Sequence, residues 1–157
     1  MYGKTLVLGL GNPIIGDDAV GLHVAREVRR LLGDRPDIEV QECCCAGVAL
    51  LDRVTGYDTL VVVDAVRSGH PRGVVLRLDP QDLPKQPTVT DMHGLGLIGA
   101  LELGRRVGLD MPSKVRVVAI AVDGDFEASE SLSAEVAKDV PEAVEQVLEE
   151  LRCTLSP

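Results

Sequence analysis

Gly9-Leu10-Gly11-Asn12-Pro13-Ile14-Ile15-Gly16-Asp17-Asp18-Ala19-Val20-Gly21 is the stretch around which the rest of the chain is organised. The run leading into it, Thr5 to Leu10, is apolar and reads as a buried strand. Beyond it, Val20, Val24, Val28, Leu31 and Leu32 fall on one face of a predicted helix. The chain therefore leaves a strand, makes a glycine-rich turn and enters a helix. Gly9 and Gly11 allow backbone angles and close approaches that a Cβ would forbid. Asp17 and Asp18 sit at or near the helix N-terminus, where a single carboxylate is enough to cap the backbone N–H groups. Asp17 is assigned the capping task. Asp18 is then left to point above the sheet edge, the place where open α/β sheets bind ligands.

The chain has 157 residues, which suits one domain, 1–157, with a sizeable core. Nearly half of them are apolar, yet there is no Trp, one Phe and two Tyr, so the core is built from Val, Leu, Ile and Ala. A net charge of −9 argues against a phosphate-backbone partner, and so against nucleic acid. No basic n-region followed by an apolar h-region begins the sequence, and no apolar run approaches the ~18 residues of a membrane span. A soluble cytoplasmic protein is expected. Three of the four cysteines are consecutive, Cys43-Cys44-Cys45, with Cys153 near the end. That is neither a spaced disulfide framework nor a CxxC pair, and it reads as small buried hydrophobes at a strand end.

Taken in order, strands are predicted at Thr5–Leu10, Ile38–Cys43, Thr59–Val66, Val74–Leu78 and Lys114–Val122. The run Thr59-Leu60-Val61-Val62-Val63-Asp64-Ala65-Val66 is rich in β-branched residues, as in a strand covered on both faces. The link from it to Val74 is turn chemistry too short for a helical crossover, so that next strand runs antiparallel, at an edge. Helices are predicted after Asp18, over Ala46–Val54, after Gly94 (apolar side Leu97, Ala100, Leu101, Leu103) and from Ser131 onward. Pro141 should kink or divide the last of these, and Glu142, Glu145, Glu149 and Glu150 give it a solvated acidic face. Asp79 to Thr90, with three prolines, reads as a surface loop, as does Asp123-Gly124-Asp125. The sum is a three-layer α/β/α sandwich around a mostly parallel five-stranded sheet with one antiparallel strand.

Several chemistries are missing their signatures. Ile14 stands where the dinucleotide fingerprint needs a third glycine, and two acids at the helix start would repel a pyrophosphate. There is no P-loop, no Gly-x-Ser-x-Gly elbow and no His-Glu-x-x-His. Gly9-Leu10-Gly11-Asn12-Pro13 resembles the start of bacterial peptidyl-tRNA hydrolases, but the Thr-Arg-His-Asn segment of that family does not follow. A cysteine protease pairing Cys44 or Cys45 with His93 stays open, although nothing in the sequence places a thiolate there. His23 belongs to a helix flank and His70 to a turn.

Right-handed crossovers bring the downstream ends of the parallel strands to one edge. Three chemically capable residues meet there: Asp18 after the first strand, Asp64 at the end of the Val-rich strand, and His93 at the opening of a helix. Two carboxylates and an imidazole can ligate a borderline divalent metal and leave positions open for water or substrate. Asn12, Asp17 and Thr90 are candidates to orient them.

These residues together resemble the maturation endopeptidases of nickel–iron hydrogenases. The resemblance is carried by Leu8-Gly9-Leu10-Gly11-Asn12 with Gly16-Asp17-Asp18-Ala19-Val20-Gly21, by Val62-Val63-Asp64-Ala65, and by Thr90-Asp91-Met92-His93 followed by Leu97. It implies a mixed sheet between helices and removal of a C-terminal extension from the hydrogenase large-subunit precursor. It implies Asp18, Asp64 and His93 as the metal-contacting and catalytic residues, with Asp or Glu usual at the Asp18 position. It also implies that the nickel is carried by the precursor and recognised there, instead of being held tightly by the free enzyme. Where relatives have a glycine-rich Asp-Gly-Gly-Thr/Ser-Ala segment, this chain has Glu42-Cys43-Cys44-Cys45-Ala46. The alternatives are a non-catalytic nickel-binding chaperone and a peptidyl-tRNA hydrolase-like enzyme.

Overall fold

Thr5–Leu10 is buried at all six positions and forms β1. Its neighbours explain why. β2 (Ile38–Cys43) pairs with it in parallel on one side and β3 (Thr59–Val66) in parallel on the other. β3 pairs in parallel with β5 (Lys114–Ala121), and β4 (Val75–Leu78) closes the far edge antiparallel to β5. The sheet order is β2-β1-β3-β5-β4. This computed structural model describes residues 3–82, 92–123 and 127–155, with the side chains of 92–95 and of 155 outside the description.

Strand alternation sorts the apolar residues into two cores. Leu6, Leu8, Leu10, Leu60 and Val62 face α2 (Leu51–Val54), α3 (Met92–Arg106) and the 3-10 turn Gly47–Leu50. Val7, Val61, Val63, Val118 and Ile120 face α1 (Val20–Leu32) and α4 (Ala134–Leu155). The three-layer sandwich, with its single antiparallel strand, is therefore the one expected from the element order.

The structure departs from the expected packing in a few places. Leu31 and Leu103 are exposed, at 50% and 42%, because each lies beyond the arc of its helix that meets the sheet. Pro141 does not divide the last helix, and Ala134–Leu155 is one element. A proline removes one helical hydrogen bond, whereas Val136, Ala143, Val144, Val147 and Leu151 are buried on both sides of it and fix the helix to the sheet. Glu150 is not solvated: it is 6% exposed and accepts a hydrogen bond from Arg77 Nε of the edge strand at 2.7 Å. The predicted loop beyond Asp79 begins as a 3-10 turn, Pro80–Asp82, and its remainder through Thr90 lies outside the described residues, as does Gly124-Asp125.

Candidate active site

β1 and β3 are neighbours from which the chain departs in opposite directions, from β1 by way of α1 to β2 and from β3 by way of β4 and α3 to β5, with α1 and α3 on opposite faces. The crevice at their downstream ends is thus the topological switch point of the sheet, where ligands bind in open α/β folds. Glycines let the chain close tightly around it. A Cβ at Gly21 would run into the carbonyl oxygens of Leu10 and Val63, and a Cβ at Gly9 into the Gly21 carbonyl and Ala25. A Cβ at Gly11 would strike the carbonyl of Asp18. So α1 begins directly on the ends of β1 and β3, and the turn carrying Asp18 lies against Gly11.

Asp18 occupies the 3-10 turn Gly16–Ala19 and is 8% exposed. Its Oδ2 accepts the Asn12 N–H at 3.0 Å, which fixes the carboxylate against the glycine turn. Asp64 is also 8% exposed. It sits one residue past Val63, in the strand register of Leu60 and Val62, and so on the α3 side of the sheet. Its Oδ1 accepts the N–H of Ala65 at 2.8 Å. Ionisable residues are seldom buried this deeply unless paired or hydrogen-bonded, and carboxylates so placed in a crevice are candidates for function. The backbone of His93 is the second residue of α3, while its side chain lies outside the described residues. The start of α3 is at this edge, because Gly96 packs on Gly47, just beyond the Cys43 that is level with Leu10. Thr90 lies outside the described residues.

The expected cap is not one. The residue capping α1 is Ala19, with no side-chain hydrogen bond. Asp17 instead spans the molecule: its Oδ1 accepts Ser133 N–H at 2.7 Å and its Oδ2 accepts the Ser133 hydroxyl at 2.8 Å. The Ser133 oxygen in turn accepts Val136 N–H at 3.4 Å, as the N-cap of α4. The carboxylate serves a helix start, but that of the last helix and not its own. Ser133 before Ala134-Glu135-Val136 is a cap signal visible in the sequence; its partner 116 residues away is not.

The cysteines also differ from the expectation. Cys43 is buried at the end of β2, but Cys43 and Cys45 form a disulfide, while Cys44 and Cys153 are exposed free thiols. Residues two apart in a strand share a face but stand about 6.6 Å apart; β2 ends at Cys43 and the chain bends there, bringing the Cα atoms of Cys43 and Cys45 to 5.3 Å. A further feature missed in the sequence is Arg72, on the loop before β4. Its guanidinium lies 2.8 Å from Asp123, 3.8 Å from Asp17 and 3.9 Å from Glu135. It helps line a polar cavity of about 430 Å³ with Asp17, Asp123, Glu127 and Ser129, next to the Asp18 turn. Of the remaining histidines, His23 on α1 is held below its usual pKa by burial and then by Arg26, with Glu42 opposing. His70 is exposed, its Nδ1 3.0 Å from Ser68 Oγ.

Both the sequence and the fold have relatives among known proteins. Residues 22–150 match the family model described as hydrogenase maturation protease. The hydrogenase 2 maturation protease of Escherichia coli is 31% identical over 153 residues, spanning 95% of this chain and 91% of that protein. The hydrogenase expression/formation protein HupD of Thiocapsa roseopersicina is 28% identical, over 94% of this chain and 67% of its own length. Among solved structures, the hydrogenase maturating endopeptidase HybD from E. coli superposes with a TM-score of 0.83 at 26% identity, covering 97% of this chain and 94% of that one. The protein described by this sequence therefore belongs to the hydrogenase maturation protease family and is an endopeptidase.

Proposed function

We propose that this endopeptidase makes a single cut in the precursor of a nickel–iron hydrogenase large subunit and removes its C-terminal extension after nickel has been inserted. The observation that carries the reading is the burial of two carboxylates, Asp18 and Asp64, at the switch point between β1 and β3. His93, in the first turn of α3, is taken as the third donor, and two carboxylates with an imidazole are residue types suited to a borderline divalent ion. Three protein ligands leave coordination positions for another molecule, so the nickel is written here as part of the substrate. When bound, the ion supplies Lewis acidity near the scissile bond.

In this scheme the chain's own residues position and handle protons. Asn12 N–H holds the Asp18 carboxylate in place, and a carboxylate of the pair takes the proton of the attacking water. Membership in a protease family displaces the carrier and peptidyl-tRNA hydrolase alternatives. The test is precursor shortening, followed by mass, with nickel-loaded and nickel-free precursor. The wild-type protein should cleave only the loaded form, and a folded His93→Ala protein should cleave neither. Equal cleavage of the nickel-free precursor would overturn the docking role of the metal.

A further inference from the structure

We infer that Cys43 and Cys45 form a reversible dithiol–disulfide site whose redox state sets how the rim beside the Asp18–Asp64 edge is held. The two sulfurs are paired across the exposed residue Cys44. One end of the pair is anchored: Cys43 is buried, level with Leu10, and its carbonyl accepts Gly11 N–H at 3.2 Å. The other end leads directly into Ala46 and Gly47. Those two residues bear on α3, since a Cβ at Gly96 would come within 2.8 Å of Gly47 N and 3.7 Å of Ala46 Cβ. The disulfide therefore ties the strand end at the glycine turn to the segment that seats the first turns of α3. Opening it leaves that segment joined to β2 through the backbone and the hydrogen bond that Cys45 N–H donates to Cys43 Sγ.

Accessibility sets the route of exchange. Cys43 is 3% exposed, whereas Cys45 is partly exposed, so an incoming thiolate attacks Cys45 Sγ. The Cys43–Cys45 bond breaks, its electron pair leaves on Cys43 Sγ, and that sulfur takes a proton. A second thiol attacks the mixed disulfide on Cys45, releasing the oxidised small molecule and the Cys45 thiol. Two thiols are thereby oxidised to one disulfide and one protein disulfide is reduced to two thiols. The effect on proteolysis rests on the proposed function; the thiol chemistry does not.

The experiment equilibrates the whole protein in graded mixtures of reduced and oxidised dithiothreitol, quenches in acid and alkylates after denaturation. The oxidised protein should show the two free thiols Cys44 and Cys153, and the reduced protein all four. Hydrogen exchange over residues 44–50 and over the α3 backbone from Gly96 should quicken on reduction, on the order of tenfold for a lost local tether. Cys45→Ser should exchange at the reduced rate in every mixture, and Cys44→Ala should keep the switch. Four free thiols in all mixtures, a bond mapped to Cys44 or Cys153, or exchange at α3 unmoved by reduction would each overturn the site. A normal thiol titration with no cleavage of nickel-loaded precursor would instead count against the proposed function alone.

Discussion

Among the described residues the buried carboxylates are Asp18, Asp64 and Glu150, and their surroundings separate their roles. Glu150 lies between Arg77 and Arg116, joining a helix to an edge strand. Asp18 and Asp64 accept N–H groups from backbone that is itself part of the switch-point crevice. Asp18→Asn and Asp64→Asn preserve shape and keep one amide oxygen to accept the same backbone N–H, so each should shift the urea midpoint only slightly. Cleavage of the loaded precursor should fall by roughly a hundredfold or more, the scale of a lost proton-handling group. Asp18→Glu, which keeps the charge, should retain more activity than Asp18→Asn in the same single-turnover assay. His23 gives a pH prediction. Its folded pKa is depressed, chiefly by burial, so the unfolded chain binds the proton more readily. Stability should therefore decline as pH falls through the ordinary histidine range near 6.5. Denaturant titrations of His23→Gln should show a shallower decline between about pH 7 and about pH 5, where an unperturbed His changes charge.

At the scale of elements, the glycine turn explains why so much could be read from one stretch. Gly9, Gly11 and Gly21 are each required by a specific backbone approach, and their spacing already signals a helix starting tightly on a strand end. Gly21→Ala should cost about 1–3 kcal/mol, since its methyl meets the carbonyls of Leu10 and Val63, which cannot yield without moving β1 or β3. Thermal melts should show the loss, and cleavage should fall further than stability because the Asp18 turn precedes this contact. The strands and the two acids were legible because strand periodicity and strand ends are local properties of sequence. What was not legible depends on partners distant in the chain. Asp17 pairs with Ser133, Glu150 with Arg77, and Arg72 reaches Asp17, Asp123 and Glu135. The cysteine pairing was missed for the opposite reason: it is so local that no spaced framework or CxxC pattern signals it, and it forms where β2 stops.

For the whole molecule, charge and connectivity matter most. With a net charge of −9, the protein should attract a precursor whose cleavage region is basic and repel an acidic one. Salt shortens the screening length from about 10 Å at about 0.1 M to about 3 Å at about 1 M. The kcat/KM for a basic cleavage region should therefore drop severalfold over that range, mainly through slower association, while kcat stays nearly constant. An unchanged kcat/KM would assign recognition to short-range contacts. The Asp17–Ser133 clasp has a temporal consequence as well. A ribosome finishes Asp18 and Asp64 long before it makes Ser133, so the nascent chain holds its acids before it holds the means to fix the turn that presents them. The clasp on that turn can close only when the final helix docks, so a product truncated before Ser133 carries both acids with the turn untied.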